Sequence, residues 1–243
     1  SKGNQLGNIM KPASQFKRDY TNLFPTIYVQ YKLDSIGDNQ LVVNYGKRIS
    51  RPYYQDLNPF LSPLDKFTFY SGNPYLNPSF GHNVELSYRY KGNFSTTLAY
   101  GKSKDDINET IEIREGIYYS RPGNIGESQF LSWSTQSDFN VTKWFSSSIY
   151  TEVAYMQYDS ELYTEGLNSS GTFFHFSSNN RFKIDKNWSA ELSGRYTSEM
   201  TSSQFTLGEV ASINLGIQRK VFGDRGMLRL NANDIFYMGI RNG

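Results

Sequence analysis

The stretch HNVELSYRYKGNFSTTLAY, residues 82–100, decides the fold. Val84, Leu86, Tyr88 and Tyr90 alternate with Asn83, Glu85, Ser87 and Arg89. After Lys91–Gly92–Asn93 the alternation resumes at Phe94, Thr96, Leu98 and Tyr100. A period of two places successive side chains on opposite faces of a strand. Globular strands usually run about five or six residues. These runs approach ten, and a strand of about that length tilted near 45° crosses a bilayer core. The stretch therefore predicts a hairpin of two membrane-spanning strands.

The same pattern extends in both directions. Ile27, Val29, Tyr31 and Leu33 form one run, and Leu41, Val43 and Tyr45 the next. Leu131, Trp133 and Phe139 follow, then Ile149, Val153 and Tyr155, then Phe174, Phe176, Phe182 and Ile184. Trp188, Ala190, Leu192 and Tyr196 precede Ile213, Leu215 and Ile217, and Leu228, Leu230 and Ala232 close the series. About ten strands result. Short connections at 34–39, 91–93, 140–143, 185–187 and 222–226 alternate with long ones at 50–81, 102–128, 158–170 and 198–209. A meander with this rhythm collects all its short turns at one end and its long loops at the other. Outer-membrane barrels segregate their loops in this way, and a soluble sandwich has no reason to.

Composition agrees. Apolar residues are only 37% of 243 and no run approaches a spanning helix, so a helical membrane protein is excluded. A barrel is not, because alternating strands average out as hydrophilic. Lys and Arg number 25 against 23 Asp and Glu, which gives a nucleic-acid partner no electrostatic support. There is no cysteine, hence no disulfide or thiolate metal site. Gln30, Lys32, Asn44, Arg48, Glu85, Arg89, Arg181, Lys183, Glu191 and Arg195 share the phase opposite the apolar one, as residues lining a wet lumen would. Val43, Leu86, Leu98, Ile149, Val153, Leu192 and Leu215 are expected to face lipid. Trp144, Phe145 and Trp188 follow short turns, where an interfacial aromatic girdle belongs. Residues 1–8 lack the basic start and apolar run of a signal peptide.

No catalytic or metal constellation emerges. His82 and His175 stand apart without carboxylates at ligand spacing and read as hydrogen-bonded polar residues. No Gly-x-Ser-x-Gly elbow occurs. Asp105, Asp106, Asn108 and Glu109 lack the spacing of a calcium loop and read as a solvated loop tip. Asp224–Arg225–Gly226 is a turn rather than a phosphate cradle. Lys47, Arg48 and Arg51 form a basic cluster suited to an anionic solute or a lipid phosphate, or simply to a charged rim.

Several motifs carry a family resemblance. They are 45–52 (YGKRISRP), 54–60 (YQDLNPF), 72–78 (GNPYLNP) and 82–86 (HNVEL), joined by 16–25 (FKRDYTNLFP), 142–144 (TKW), 188–194 (WSAELSG), 215–218 (LGIQ) and 233–236 (NDIF). Together they resemble the C-terminal barrel half of TonB-dependent outer-membrane receptors of the Bacteroidota type. The resemblance implies an all-β, antiparallel up-and-down transmembrane β-barrel, with about ten strands here out of a larger barrel of about 22. Residues 1–243 then form one partial barrel domain, without the plug and the final aromatic strand of that family. The implied role is uptake of a scarce solute across the outer membrane of a Gram-negative bacterium. The implied partners are outer-membrane lipid, the TonB complex acting through the plug, and a surface lipoprotein. No cofactor and no enzymatic step are implied. Two other readings stay open: a self-contained porin-like or protease-like barrel, and a soluble β-rich adhesin or carbohydrate-binding module.

The motif residues expected to shape an outer loop or touch solute are Arg48, Arg51, Pro52, Asn58, Pro59, Gly72, Asn73, Pro74, Asn77, Pro78, Asn83 and Glu85. Each proline holds its predecessor extended. Gly72 is expected to relieve a tight bend.

Overall fold

The computed structural model describes residues 2–9, 14–21, 23–124, 126–162, 165–202, 205–223 and 225–237. A hairpin of β1 (Lys2–Ile9) and β2 (Ser14–Thr21) stands as a separate two-stranded sheet. Next come β3 (Thr26–Lys32), β4 (Asn39–Ser50), β5 (Ser62–Pro63), β6 (Thr68–Tyr70), β7 (Ser79–Tyr90), β8 (Phe94–Lys104), β9 (Ile107–Arg114), β10 (Ile117–Asn124) and β11 (Glu127–Asn140). The chain continues through β12 (Phe145–Leu162), β13 (Glu165–Lys183), β14 (Trp188–Thr197), β15 (Met200–Ser202), β16 (Phe205–Leu207), β17 (Val210–Val221) and β18 (Gly226–Ala232). One short 3-10 turn, Gln55–Leu57, is the only helical element among the described residues.

Ten strands make one open antiparallel sheet, in the order β18-β17-β14-β13-β12-β11-β8-β7-β4-β3. This is the expected meander. Its register is set by the apolar phase. Val29, Val43, Leu86, Leu98, Trp133, Val153 and Phe174 stand opposite one another in a continuous row. Leu192 and Leu215 pair on the same face farther along. A one-residue slip anywhere would turn a strand's apolar set to the other face. All seven residues expected to face lipid lie on this face, and the ten expected lumen residues lie on the other.

The outward face is apolar and open. Val43, Leu86, Leu98, Trp133 and Val153 are 37–58% exposed. A water-soluble protein rarely shows a contiguous apolar patch beyond a few hundred Å², and a face this large needs hydrocarbon against it. Its height fits. Tyr45, Tyr100 and Tyr155 lie along one cross-strand row near the long-loop end. Phe145, Phe182 and Trp188 mark the short-turn end, with the Phe145 and Phe182 rings stacked at 4.9 Å. From Phe145 to Tyr155 the strand rises about 33 Å at ~3.3 Å per residue. A tilt of about 40° leaves about 25 Å, the height of a barrel's apolar band. Trp144 packs on Phe145 at 5.8 Å, so the expected girdle residues do cluster at one rim.

Ser147, Ser178 and Asn180 are polar residues on the apolar face, and they satisfy one another. Ser147 Oγ donates to Asn180 Oδ1 at 2.8 Å, and Asn180 Nδ2 donates to Ser178 Oγ at 2.7 Å and to the Leu192 carbonyl at 3.2 Å. Closing these bonds within the sheet removes the penalty of unpaired polar groups in hydrocarbon.

The inward face is polar and partly shielded. Ser87, Ser132 and Ser212 are buried between longer neighbours. Ser87 and Thr97 hydroxyls pair at 2.8 Å, and Arg195 Nε donates to Ser212 Oγ at 3.0 Å. Exposure on one face and shelter on the other is the asymmetry of a sheet curled toward its polar side.

The short turns are closed by their own side chains. Asp34 accepts the backbone N–H groups of Gly37, Asp38 and Asn39 at 2.5–2.9 Å. Asp185 accepts those of Asn187 and Trp188 at 2.7 and 2.8 Å. Thr142 Oγ1 accepts the Phe145 N–H at 3.0 Å. Lys91 and Gly92 turn through left-handed backbone, φ 49° and 70°.

The long connections differ from expectation. Residues 158–170 are mostly strand: β12 and β13 continue past the sheet as a tall hairpin. Residues 198–209 carry the β15–β16 hairpin. The two longest connections fold together as a second sheet, described next. Period-two alternation could not reveal β5, β6, β15 and β16, because two or three residues are too few to show a period. Asp224, read as part of a turn, lies outside the described residues, as do the side chains of 16–21.

Candidate functional site

The connections between β4 and β7 and between β8 and β11 emerge at the same end of the wall. They combine into a four-stranded sheet ordered β5-β6-β10-β9. β6 and β10 pair in parallel, with Thr68, Phe69 and Tyr70 opposite Tyr118, Tyr119 and Ser120. This departs from a purely antiparallel fold. Parallel pairing arises because the two strands belong to different loops rather than to one hairpin. β9 and β10 are a tight hairpin whose turn residues Glu115 and Gly116 both have positive φ, as a two-residue hairpin turn requires.

The motif residues build the scaffold of this layer. Gly72 N donates to the Asn58 carbonyl at 2.7 Å, and Asn73 N to the Asp56 carbonyl at 2.5 Å. A Cβ on Gly72 would lie 2.5–2.6 Å from the Asn58 and Asp56 backbone. Glycine is needed here for close approach rather than for a left-handed bend. Asn58 Oδ1 accepts the Phe60 N–H at 3.2 Å, and Asn73 Oδ1 the Tyr75 N–H at 3.0 Å. Each is an Asx turn set beside its proline, Pro59 and Pro74. Asn77 exchanges two bonds with the Asn124 side chain, at 2.8 and 3.0 Å. Pro52 is buried, Pro78 half-buried and Arg51 exposed.

Arg48, Asn83 and Glu85 take a different position. They lie on the inward face of β4 and β7, below the loop layer. Arg48 Nη1 donates to Thr26 Oγ1 at 3.2 Å, and Asn44 Nδ2 to Glu85 Oε2 at 3.4 Å. A side chain on Gly101 would collide with Phe130 and Asn83, so this glycine leaves them room on the inward face.

Asp106 corrects one expectation. It is no solvated loop tip: it accepts Ser79 Oγ at 2.7 Å and Ser128 Oγ, tying the foot of the β9–β10 hairpin to β7 and β11. Glu109 accepts Ser120 Oγ within the same hairpin. Asn124 and Asp106 are the residues that sequence reading missed as anchors, since their partners are remote in the chain. The histidines are hydrogen-bonded as expected, His82 Nδ1 with Tyr45 OH at 2.9 Å and His175 Nδ1 with Thr197 Oγ1 at 2.8 Å. Among the described residues no three His, Asp or Glu gather as metal ligands.

The electrostatics of the layer are local. Burial and the neighbouring Asp56 carboxylate push the Tyr70 phenol up. The Phe67 N–H and the Thr68 side chain hold Asp65 below the usual carboxylate range. Arg114, bonded to Glu112 at 2.6 and 2.8 Å, does the same for Glu112. Tyr53, Tyr54, Phe60, Phe67 and Tyr75 of these connections are 62–80% exposed. At the other end of the inward face, a hollow of 730 Å³ is lined by Arg181, Lys183, Glu191, Gln218 and Arg229. Its excess of cations suits anionic groups.

Comparison with known proteins supports this geometry. The family model described as the outer membrane protein beta-barrel family matches residues 2–243. The siderophore receptor PirA from Pseudomonas aeruginosa superposes with a TM-score of 0.63 at 14% identity, over 90% of this chain and 40% of that one. The ferric enterobactin receptor PfeA of the same organism, in complex with BCV-L6, gives 0.62 at 12% identity, over 90% and 35%. An arginine mutant of PfeA in complex with enterobactin gives 0.61 at 13% identity, over 90% and 35%. The chain thus spans 35–40% of the length of these receptors. No curated protein matches it in sequence.

Proposed function

The chain belongs to the outer membrane protein beta-barrel family of the Gram-negative outer membrane, and from that premise we propose that its ten strands are part of the wall of a larger receptor barrel importing a scarce solute. One observation carries the reading. A single sheet presents an apolar band of bilayer height on one face and a hydrogen-bonded polar wall on the other, under a folded loop layer. A soluble binding module has no use for the apolar band. Energy enters the whole receptor through a TonB-type partner, and a surface lipoprotein is the further partner in this reading.

The division of labour among the motif residues follows from their positions. Arg51, Pro52, Asn58, Pro59, Gly72, Asn73, Pro74, Asn77 and Pro78 keep the loop layer rigid. Arg48, Asn83 and Glu85 line the mouth and meet the solute. The solute class to test first is a ferric siderophore, because the solved relatives are siderophore receptors. Cells deleted for the gene should lose uptake of iron supplied as ferric enterobactin. The wild-type gene should restore it, and the Arg48→Ala, Glu85→Ala pair should restore it only in part. Unchanged uptake in the deletion strain would remove siderophores and turn the search to glycans and peptides.

A further inference from the structure

The run Lys47, Arg48, Arg51 looks like one basic cluster in the chain, but the sheet divides it. Arg48 turns inward to Thr26, while Lys47 lies on the outward face. There the register gathers new neighbours. Lys47 stands opposite His82, and His82 opposite Lys102, so three adjacent strands place these residues in one row. Lys104 lies one step farther out, opposite Phe80 and Glu127. Strands are spaced about 4.8 Å apart, which puts the Lys47 and Lys102 backbones about 10 Å from each other. The row directly below, Tyr45–Val84–Tyr100, is the upper border of the apolar band. The basic row is therefore the first polar layer on the bilayer-facing side of the loop-bearing end.

The side chains are ordered and accessible. Lys47 Nζ lies 5.7 Å from the centre of the Phe80 ring, and the Tyr45 hydroxyl bonds His82. Glu127 holds Lys102 at 2.6 Å and Lys104 at 2.7 Å, and these lysine side chains remain 42% and 65% exposed. One carboxylate shared by two ammonium groups leaves one positive charge over. Asp159, opposite Glu127 on β12, accepts Gln157 Nε2 at 2.9 Å. Glu127 and Asp159 both lie on the β11–β12 side of the three lysines. The surplus charge sits over β4, β7 and β8.

We propose that Lys47, His82, Lys102 and Lys104 bind the phosphate groups of a phosphorylated glycolipid in the outer leaflet. Ammonium groups at headgroup depth attract lipid phosphate, and charge-assisted bonds to phosphate oxygens are strong and short. The inference rests on the proposed orientation, with the loop layer outside the cell.

The test uses the full-length protein in nonionic detergent, titrated with bisphosphorylated lipid A and with its dephosphorylated form. Lipid adducts are counted by native mass spectrometry. The triple variant Lys47→Gln, Lys102→Gln, Lys104→Gln should retain about tenfold less bisphosphorylated lipid A. Its retention of the dephosphorylated lipid should not change. Equal retention of the phosphorylated lipid by variant and wild type would overturn the site. So would displacement of the lipid by millimolar inorganic phosphate, which would make this a free-anion site. If the triple variant does not fold, Lys104→Gln alone carries the same test with a loss of about threefold. Asp105→Cys, read against the protein without this substitution, checks orientation separately by labelling on intact cells. No labelling with lipid A retention intact would overturn the sidedness and move the site to the inner leaflet. Labelling without phosphate-dependent retention would overturn the lipid site alone.

Discussion

The ten-strand wall and the four-strand loop layer are both β-sheet, yet they are held together by different physics. The wall gains its stability from its surroundings: an apolar face meets hydrocarbon, and an unbroken ladder satisfies the backbone. Its individual side chains are interchangeable with others of similar character. The loop layer stands in water and has little apolar burial, with Leu76 and Thr110 its largest fully buried side chains among the described residues. It depends on particular bonds, such as the Asn77–Asn124 exchange and the Asp106 clasp. A wall of this kind tolerates sequence drift within a pattern, whereas the layer depends on identities.

That contrast can be broken by experiment. Leu98→Arg or Val153→Arg, near the middle of the band, should cost about 2–4 kcal/mol of folding stability in lipid vesicles. Ser134→Arg, one position from Trp133 but on the inward face, should cost about 1 kcal/mol or less, since lumen positions are wet. Equal costs on both faces would mean that the wall does not have one lipid side.

A methyl group should be enough to disturb the layer. Gly72→Ala forces a Cβ to within 2.5–2.6 Å of backbone atoms that cannot swing away, at a cost of about 1–3 kcal/mol. Hydrogen exchange should accelerate over residues 56–76 and stay unchanged in the wall. If the wall loosened as well, the two sheets would be one cooperative unit.

Asp106→Ala removes the acceptor for Ser79 and Ser128. It should cost about 1–2 kcal/mol and open the 105–126 hairpin to protease on intact cells. Resistance equal to wild type would assign the anchoring to Asn124 instead.

The smallest effect is that of pH on the opposite end. Backbone N–H groups of Asn187 and Trp188 hold Asp185 below the usual carboxylate range. Its folded pKa is depressed, so the turn's stabilisation is complete above the unfolded value of about 3.9. It fades as pH falls through the lower folded value. Exchange at Trp188 should therefore be flat from neutral pH to about pH 4.5, after correction for intrinsic rates, and rise only in stronger acid. Asp185→Asn should leave no such step.

The wall was legible because its physics is periodic. The alternation around Val84–Tyr90 and Phe94–Tyr100 placed both strands, their turn and their faces, and the same phase assigned Leu192 and Leu215 about a hundred residues later. The loop layer was not, for an equally physical reason. β5 and β6 are 2 and 3 residues long, and the parallel contact of Tyr70 with Ser120 joins positions unrelated by any repeat. The prolines and asparagines of the 52–78 block did announce a rigid loop, because each restricts its own backbone. They could not say what that loop packs against.

Sequence alone determined everything that depends on a residue and its near neighbours: strand length, face, turn chemistry and the medium each face requires. Only the tertiary structure could decide the matters that depend on which strand lies beside which. It joined Lys47 to His82 and Lys102. It let Ser147 and Asn180 satisfy each other in the apolar band, and it made Asp106 a clasp rather than a loop tip. Cross-strand partners are set by register across the whole sheet, and no local stretch of chain contains that information.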